Sequence, residues 1–244
     1  MNIRKGPMLY EGKAKRIFAI EGEKNLVLQE FKDSLTAFNG EKKGSFADKG
    51  VLNRDITSLI LQFLVKRGVR NHWVQDVAKN EMVTEKLAII PLEVVVRNKA
   101  AGSLAKKFKW EEGRELPFSI IELYLKSDEL GDPFINDEHV EAMGLCSKAE
   151  LAALKESAKA INTHLKAFFV EAGLDLIDFK LEFGKNAKGE IMLADEVTPD
   201  TCRLWDRKTG EKMDKDRFRR DLGKVQETYE EVCRRLTLAW RNSK

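Results

Sequence analysis

One alternating segment, residues 176–184 with the sequence LIDFKLEFG, constrains the fold more than any other part of the chain. Successive side chains of a β-strand point to opposite faces, so the segment predicts a strand with Asp178, Lys180 and Glu182 on one face. The simplest interpretation is a half-exposed strand whose polar face lies in water. The apolar run at residues 191–194 favours a sheltered site instead. A strand without polar side chains is expected to be covered on both faces. We therefore expect the charged face of its neighbour to be sheltered as well.

The short sequence GKNAKG joins these two segments and predicts a β-hairpin. We assume a register that pairs Phe183 with Glu190, which sets Asp178 opposite Asp195. Two carboxylates that face each other in a sheltered place are unfavourable without a cation. Mg²⁺ takes oxygen ligands, and a nearby lysine adds positive charge where a phosphoryl group is transferred. The hairpin therefore predicts a magnesium and polyphosphate site formed by Asp178, Lys180, Glu182 and Asp195.

A glycine followed by several cations occurs near the N-terminus, in the sequence YEGKAKRIF. Gly12 can adopt backbone conformations closed to other residues, and Lys13, Lys15 and Arg16 follow it. A strand–turn–strand of this kind can lie over a triphosphate, as the glycine loops of kinases do. A basic hairpin exposed to water is the alternative interpretation.

Two later loops also carry groups that suit anions. The sequence RNKAAGS supplies Arg97 and Ser103 as phosphate donors, and its small residues let backbone N–H groups approach a ligand. Alternatively, Ser103 caps a helix at residues 106–110. In TPDTCRLW, Pro199 ends the acidic strand, and the following loop brings Arg203 back toward the carboxylates, where it can hold a second anion.

The order of the predicted elements indicates the α+β class, in one large domain or two closely joined lobes. The chain begins with strands and continues with mixed strands and helices. A capping box of Ser147 and Glu150 opens one long helix, which continues to Gly173. The predicted strands are residues 9–20, 25–31, 73–76, 82–85, 89–96 (broken by Pro91), 176–183 and 190–197, and the other predicted helices are residues 51–66 and 214–240.

Composition excludes several classes of protein. Net charge is only +3 among 34% charged residues, without the concentrated basic face expected of a nucleic-acid-binding protein. Residues 1–7 are polar and basic, and no apolar run is long enough to span a bilayer, so we expect neither a secretory signal nor a membrane partner. The three cysteines are far apart and lack zinc-site spacing, which favours free thiols in a reducing cytoplasm.

Four segments together resemble the phosphoribosylaminoimidazole-succinocarboxamide synthase (SAICAR synthetase) family: YEGKAKRIF, PLEVVVRNKAAGS, DFKLEFG and DEVTPDTCRLWD. The resemblance runs from Leu9 to about Trp240. It implies a ligase of purine biosynthesis that joins L-aspartate to carboxyaminoimidazole ribonucleotide (CAIR), with ATP as co-substrate and Mg²⁺. It also implies a kinase-like N-terminal sheet lobe at residues 1–87, a larger α+β lobe at residues 88–244, an ATP cleft between them, and a homodimer or other homo-oligomer.

The resemblance further implies a role for each matching residue. For ATP these are Gly12, Lys13, Ala14 and Lys15 on the hairpin and the backbone of Lys86 and Leu87 between the lobes. Glu182 and Asp195 are the implied magnesium ligands, and Lys180 contacts the transferred phosphate; these three form the implied catalytic centre. The implied nucleotide-phosphate site is Arg97, Ser103 and Arg203, with Asp178 and Asp200 shaping the site.

The expected chemistry needs no nucleophilic side chain. Transfer of the γ-phosphoryl group to the CAIR carboxylate gives an acyl phosphate, which the aspartate amine attacks. Arg219 and the loop at residues 40–49 are candidates for binding the aspartate carboxylates, while His72, His139 and His164 are interpreted as structural or surface residues. A small-molecule kinase with a similar ATP site is the alternative enzyme, and a non-catalytic nucleotide-binding module is the alternative class.

Overall fold

The computed structural model describes residues 3–242, and its strands form three antiparallel sheets. The strands are β1 (Lys5–Glu11), β2 (Lys15–Ile20), β3 (Glu23–Phe31), β4 (Ser34–Ala37), β5 (Lys42–Ser45), β6 (Trp73–Ala78), β7 (Glu81–Glu85), β8 (Ala88–Lys99), β9 (Glu115–Leu125), β10 (Phe134–Ile135), β11 (Leu174–Lys185), β12 (Ile191–Ala194) and β13 (Cys202–Asp206). The helices are α1 (Lys49–Val65), α2 (Gly102–Phe108), α3 (Asp137–Ala142), α4 (Lys148–Glu171), α5 (Asp216–Arg219) and α6 (Val225–Asn242).

The two larger sheets are built from successive parts of the chain. The N-terminal sheet has five strands in the order β1-β2-β3-β7-β6, and β4 pairs with β5 in a separate small sheet. The second sheet has six strands, with β11 between β8 on one side and both β12 and β13 on the other. Every pairing between these strands is antiparallel, and helices pack on them, so the predicted α+β class is confirmed.

The assumed register of the acidic hairpin is wrong. Phe183 pairs with Leu193, not with Glu190, so β12 is shifted by three residues. The turn explains the shift, because the Asn186 side chain accepts hydrogen bonds from the backbone N–H groups of Lys188 and Glu190 and closes the hairpin inside the predicted loop. As a result, Asp178 does not face Asp195.

Pro91 does not interrupt β8, contrary to the prediction. The register between β8 and β11 shifts between Glu93 and Ile89, so Pro91 lies in a bulge. A proline is tolerated there because the residue in a bulge need not donate a ladder hydrogen bond. The strand therefore continues to Lys99 and carries Arg97 into the centre of the sheet.

The helices cover the back of the six-stranded sheet and form the main core with it. The capping box of Ser147 and Glu150 opens α4 as predicted, and the apolar stripe of α4 is buried against β11. The final predicted helix is broken, because Asp221, Gly223 and Lys224 adopt left-handed backbone conformations between α5 and α6. In the part that is helical, Tyr229, Val232 and Leu236 are buried, whereas Leu222, which lies in the break, is exposed.

Cys146, Cys202 and Cys233 are free, as expected. Among the described residues, no helix combines the length and apolarity needed to cross a membrane.

Candidate active site

A cavity of about 600 Å³, here called the cleft, is lined by residues of both large sheets and of α5. Most of the predicted site residues lie on it. From the first part of the chain these are Gly12, Lys13, Ala14, Lys15, Lys86 and Leu87. From the second part they are Lys180, Glu182, Asp195, Asp200 and Arg219.

The centre of the cleft is a cluster of carboxylates and lysines on the charged face of β11. Glu182 pairs directly with Glu93 of β8, which brings two carboxylates face to face. Lys180 compensates this repulsion, since its ammonium group lies 2.6 Å from Glu182 Oε1 and 3.0 Å from Glu93 Oε1. Lys126 contacts the other oxygen of Glu182. The facing carboxylates expected from the sequence therefore exist, but the pair is Glu93 and Glu182.

Asp195 joins this cluster from the end of β12. Its φ angle of +60° lies in the left-handed region, which asparagine and aspartate tolerate better than most residues. This turn directs its carboxylate toward Lys15 and places Oδ2 3.5 Å from Lys180 Nζ. Burial alone would raise the pKa of Asp195, but Lys15 and Lys180 outweigh it and hold the pKa far below its usual value. The side chain is therefore an anion throughout the physiological range.

The glycine hairpin between β1 and β2 contributes a lysine to this cluster. Lys15 contacts Asp195, and its ammonium group also lies 3.1 Å from Glu196 Oε2. Burial opposes the charge of Lys15, but these carboxylates raise its pKa above the ordinary lysine value. Lys13 extends instead to Asp128, at 2.7 Å. The prediction that Gly12 adopts a backbone conformation closed to other residues is wrong, because Gly12 is not among the residues with a left-handed backbone.

The connection between the two large sheets passes along the cleft. Lys86 and Leu87 lie between β7 and β8, and the backbone N–H of Lys86 donates to the carbonyl of Asn25. Gly184 of β11 packs against Leu87 so closely that an added Cβ would lie 2.8 Å from Leu87 Cβ. Both residues therefore have a fixed backbone at the edge of the cleft.

The predicted phosphate residues Arg97, Ser103 and Arg203 form a second group with Asp178, and none of them lines the cleft. Arg97 donates to Asp178 at 2.8 Å and to the Ser103 hydroxyl at 2.9 Å. Arg203 donates to the same carboxylate at 2.9 Å. Ser103 is not a helix cap, because α2 begins at Gly102 with Ala101 as its N-cap.

Gly102 is required where this second group meets α2. Its φ angle is +52°, and an added Cβ would lie 2.4 Å from Arg203 NH2. Arg203 itself lies on β13, which replaces the loop predicted at this position. The strand pairs Arg203 with Asp178, and this pairing explains why Asp178 belongs to the arginine group rather than to the cleft cluster.

Asp200 and Arg219 lie on a further wall of the cleft. Asp200 accepts hydrogen bonds from Lys49 and Tyr229, both at 2.6 Å, and from Asn53 at 3.0 Å. Burial would raise the pKa of Asp200, but Lys49 outweighs it, so the pKa is lowered. Arg219 donates to Asp216 at 2.5 Å.

Several residues of the cleft were missed by sequence reasoning. Glu93 belongs to the PLEVVVRNKAAGS segment, and its position opposite Glu182 follows only from the register of β8. His72 was assigned a structural or surface role; it is buried and also lines the cleft, and burial lowers its pKa to about 4. The other cleft residues with ionisable side chains that the sequence did not indicate include Lys126, Glu196 and Lys215.

Comparison with known proteins identifies the family. The SAICAR synthetase family model matches residues 8–236. The chain belongs to the SAICAR synthetase family. The phosphoribosylaminoimidazole-succinocarboxamide synthase of Clostridium botulinum (strain Okra) is 50% identical over 234 residues, which cover 96% of this chain and 99% of that protein. The enzyme of the same name from Clostridium acetobutylicum is 51% identical over 235 residues, with the same coverage of both chains.

Solved SAICAR synthetases have the same fold. The structure of the Ehrlichia chaffeensis enzyme gives a TM-score of 0.92 at 42% identity and covers 95% of this chain and 98% of that one. A SAICAR synthetase in complex with ADP gives a TM-score of 0.91 at 45% identity, with 95% and 97% covered. Family membership confirms the predicted enzyme class, a carbon–nitrogen ligase of purine biosynthesis, and does not favour the small-molecule kinase.

Proposed function

We propose that this SAICAR synthetase uses ATP to join L-aspartate to CAIR, and that the reaction takes place in the cleft around Lys180, Glu182 and Asp195. The observation that carries the proposal is the cluster itself. Three buried or half-buried carboxylates lie within 3.5 Å of the Lys180 ammonium group, and Lys15 of the glycine hairpin contacts one of them. A site with fixed opposite charges suits phosphoryl transfer, in which the protein contributes positioning and electrostatic stabilisation.

ATP is assigned to the side of the cleft formed by the hairpin. A SAICAR synthetase of the same fold binds ADP, which supports ATP as co-substrate here. Lys13 and Lys15 reach into the cleft from the hairpin and suit the phosphates, while the fixed backbone at Lys86 and Leu87 suits the adenine base. The predicted division at residues 87 and 88 then separates an N-terminal lobe that covers the nucleotide from a C-terminal lobe that holds the metal and CAIR.

Glu182 and Asp195 fit a magnesium ion in their chemistry. Both carboxylates contact the same ammonium group of Lys180, so a single cation can lie near both. The described residues contain no group of three or more side chains arranged to hold a metal. Mg²⁺ commonly binds through one or two carboxylates and takes its other ligands from water and substrate phosphates. When bound, Mg²⁺ would neutralise the phosphates of ATP.

The chain's own residues have defined tasks in this reaction. Lys15 and Lys180 hold positive charge beside the transferred γ-phosphoryl group, whose bond to ADP breaks as its bond to the CAIR carboxylate forms. The aspartate amine then attacks the acyl phosphate, so that the C–N bond forms, the C–O bond to phosphate breaks and a proton leaves the nitrogen.

Arg97, Ser103 and Arg203 are proposed to bind the ribonucleotide phosphate, and Asp178 and Asp200 hold the surrounding side chains in place.

The proposed reaction also indicates the partners of the protein and its location. The substrates are small molecules, and we propose a homodimer or other homo-oligomer that acts in the cytoplasm. Net charge of +3 and the scattered cations agree with small anionic substrates rather than a nucleic acid.

The substitution Asp195→Asn tests the metal assignment. We expect turnover of ATP with CAIR and L-aspartate to fall by about 10²- to 10⁴-fold, because one carboxylate of the proposed metal site is removed. The measurement is production of SAICAR and ADP by a variant whose folding is checked by circular dichroism. Near-normal turnover by the folded variant would show that the assignment is wrong. ATP consumption with CAIR that does not require L-aspartate would favour a kinase instead.

A further inference from the structure

Lys215 differs from the other lysines that line the cleft, all of which contact a carboxylate except Lys86, which is exposed. Lys13, Lys15, Lys126 and Lys180 each contact a carboxylate. The ammonium group of Lys215 forms no ion pair or hydrogen bond with any described residue, although the residue is half-buried and lines the cleft. Burial lowers the pKa of Lys215 below the ordinary lysine value, and nearby Asp200 only partly opposes this effect. An unpaired, poorly hydrated cation is unfavourable, and a bound anion would relieve that cost.

Arg219 lies beside Lys215 on the same face. The backbone N–H of Arg219 donates to the carbonyl of Lys215 at 3.0 Å, so the two residues are one helical turn apart. Both line the cleft. Arg219 uses NH1 to contact Asp216, and its other N–H groups make no hydrogen bond with the described residues. The pair therefore presents two cations, with donors free to bind a ligand.

The carboxylates around this pair are already engaged. Asp200 is held by Lys49, Asn53 and Tyr229. Asp216 is shared between Arg219 at 2.5 Å and Arg203 at 3.1 Å. This wall of the cleft therefore carries more positive charge than its own carboxylates neutralise, and the excess suits a ligand with more than one negative group.

We propose that Lys215 and Arg219 form the subsite that binds the two carboxylates of L-aspartate and so select a dicarboxylic amino acid. Asp216 links Arg219 to Arg203, which places this subsite next to the residues proposed to bind the ribonucleotide phosphate. The inference rests on the proposed function and makes it more specific. Lys215 contacts a substrate carboxylate away from the reacting amine, and its charge sets the affinity for aspartate.

The substitution Lys215→Met tests this subsite, with KM measured separately for L-aspartate, CAIR and ATP. We expect KM for L-aspartate to rise by about 10- to 100-fold, as for the loss of one charge-assisted hydrogen bond, while KM for CAIR and ATP changes by less than about twofold. Lys215→Arg should recover most of the affinity. An unchanged KM for L-aspartate, or an equal rise for CAIR, would overturn the proposal, since the second result would indicate a phosphate subsite.

Arg220→Met is the matched control. Arg220 carries the same charge immediately after α5 but contacts Glu112 and Asp216 and does not line the cleft. We expect its KM for L-aspartate to stay within about twofold of the wild-type value. A tenfold rise in the control would mean that KM responds to net charge alone, which would also overturn the proposal.

A measurement on the unaltered enzyme keeps the proposal testable if Lys215→Met does not fold. Succinate, with two carboxylates, is expected to compete with L-aspartate at least about tenfold better than butyrate, with one. Equal inhibition by the two acids would overturn the subsite. Absence of SAICAR formation by the wild-type enzyme would instead contradict the proposed function, so the two failures can be told apart.

Discussion

The two ends of β11 hold charge in different ways. At one end, Asp178 is bound by Arg97 and Arg203, both from neighbouring strands, and the group does not line the cleft. At the other end, Glu182 is bound by Lys126 and Lys180 and faces the cleft. A guanidinium group binds a carboxylate through a rigid fork, whereas a lysine ammonium group is a point charge on a flexible chain.

This difference separates a rigid arginine group, which includes the proposed phosphate-binding residues, from a lysine centre whose partners can exchange. Lysines that contact carboxylates in the cleft have flexible side chains and can turn toward the phosphates of a bound nucleotide. The arginine group cannot rearrange as easily, because each guanidinium donates to more than one partner. We therefore expect substitutions at the Asp178 end to affect stability first, and substitutions at the Glu182 end to affect activity first.

The largest effect on stability is expected from Asp178→Asn. The change removes the carboxylate that two largely buried arginines share, while Arg97 keeps Glu122 and Arg203 keeps Asp216. We expect a loss of about 1.5–3 kcal/mol, as for the loss of hydrogen bonds to a charged group. Denaturant unfolding of the wild type and the variant measures the loss. A loss below about 1 kcal/mol would show that the arginine group is not a structural support.

Glu182→Gln is the matched change at the other end of the strand. Lys180 keeps Glu93 and Asp195 as partners, and Lys126 is 40% exposed and can reach water. We expect a stability loss of about 1 kcal/mol, together with a loss of turnover of at least about 10²-fold. If unfolding shows that Glu182→Gln is as destabilising as Asp178→Asn, the contrast between the two ends does not hold.

The smallest effect is expected at a surface ion pair that belongs to neither group. Glu150 contacts Lys185 at 2.5 Å and also accepts from the backbone of Ser147 in the capping box of α4. The contact with Lys185 and the bonds to Ser147 lower the pKa of Glu150 to about 2. A lowered carboxyl pKa adds stability above pH 4.5, and that stability is lost as the pH falls toward 2.

Glu150→Gln keeps an acceptor for the capping box and removes only the charge. We expect it to lower the unfolding free energy at pH 7 by less than about 1 kcal/mol and to flatten the loss of stability in acid. Urea unfolding at several pH values between 2 and 7 measures both quantities. A variant with the same acid dependence as the wild type would show that the pair contributes nothing.

Sequence patterns were sufficient for elements with strong periodicity. The alternation of β11 and the stripe and capping box of α4 each follow from local physical rules, and the structure agrees with them. The register of β12 did not follow, because the Asn186 side chain reshapes the turn and no periodic pattern reports such a contact. The break between α5 and α6 was missed although Gly223 lies in it, because the left-handed conformations of Asp221 and Lys224 on either side are not indicated by residue type alone.

The candidate site shows the same difference between features that local patterns predict and features that depend on contacts distant in sequence. The carboxylates and lysines of the cleft were predicted because their types match the chemistry, and most of them line one cavity. Asp178 was assigned to the wrong partners, since its surroundings depend on β13, which was predicted as a loop. Glu93 and Lys215 become candidates only when strand pairing and the folding of α5 bring them to the cleft.

We propose that Glu182 and Asp195 hold a metal ion beside the nucleotide phosphates. Calorimetric titration of ADP in the presence and absence of Mg²⁺ tests it most directly. For the wild type we expect Mg²⁺ to tighten ADP binding by at least about tenfold, and for Asp195→Asn we expect less than about twofold. A folded Asp195→Asn variant that retains the full magnesium enhancement would contradict the account.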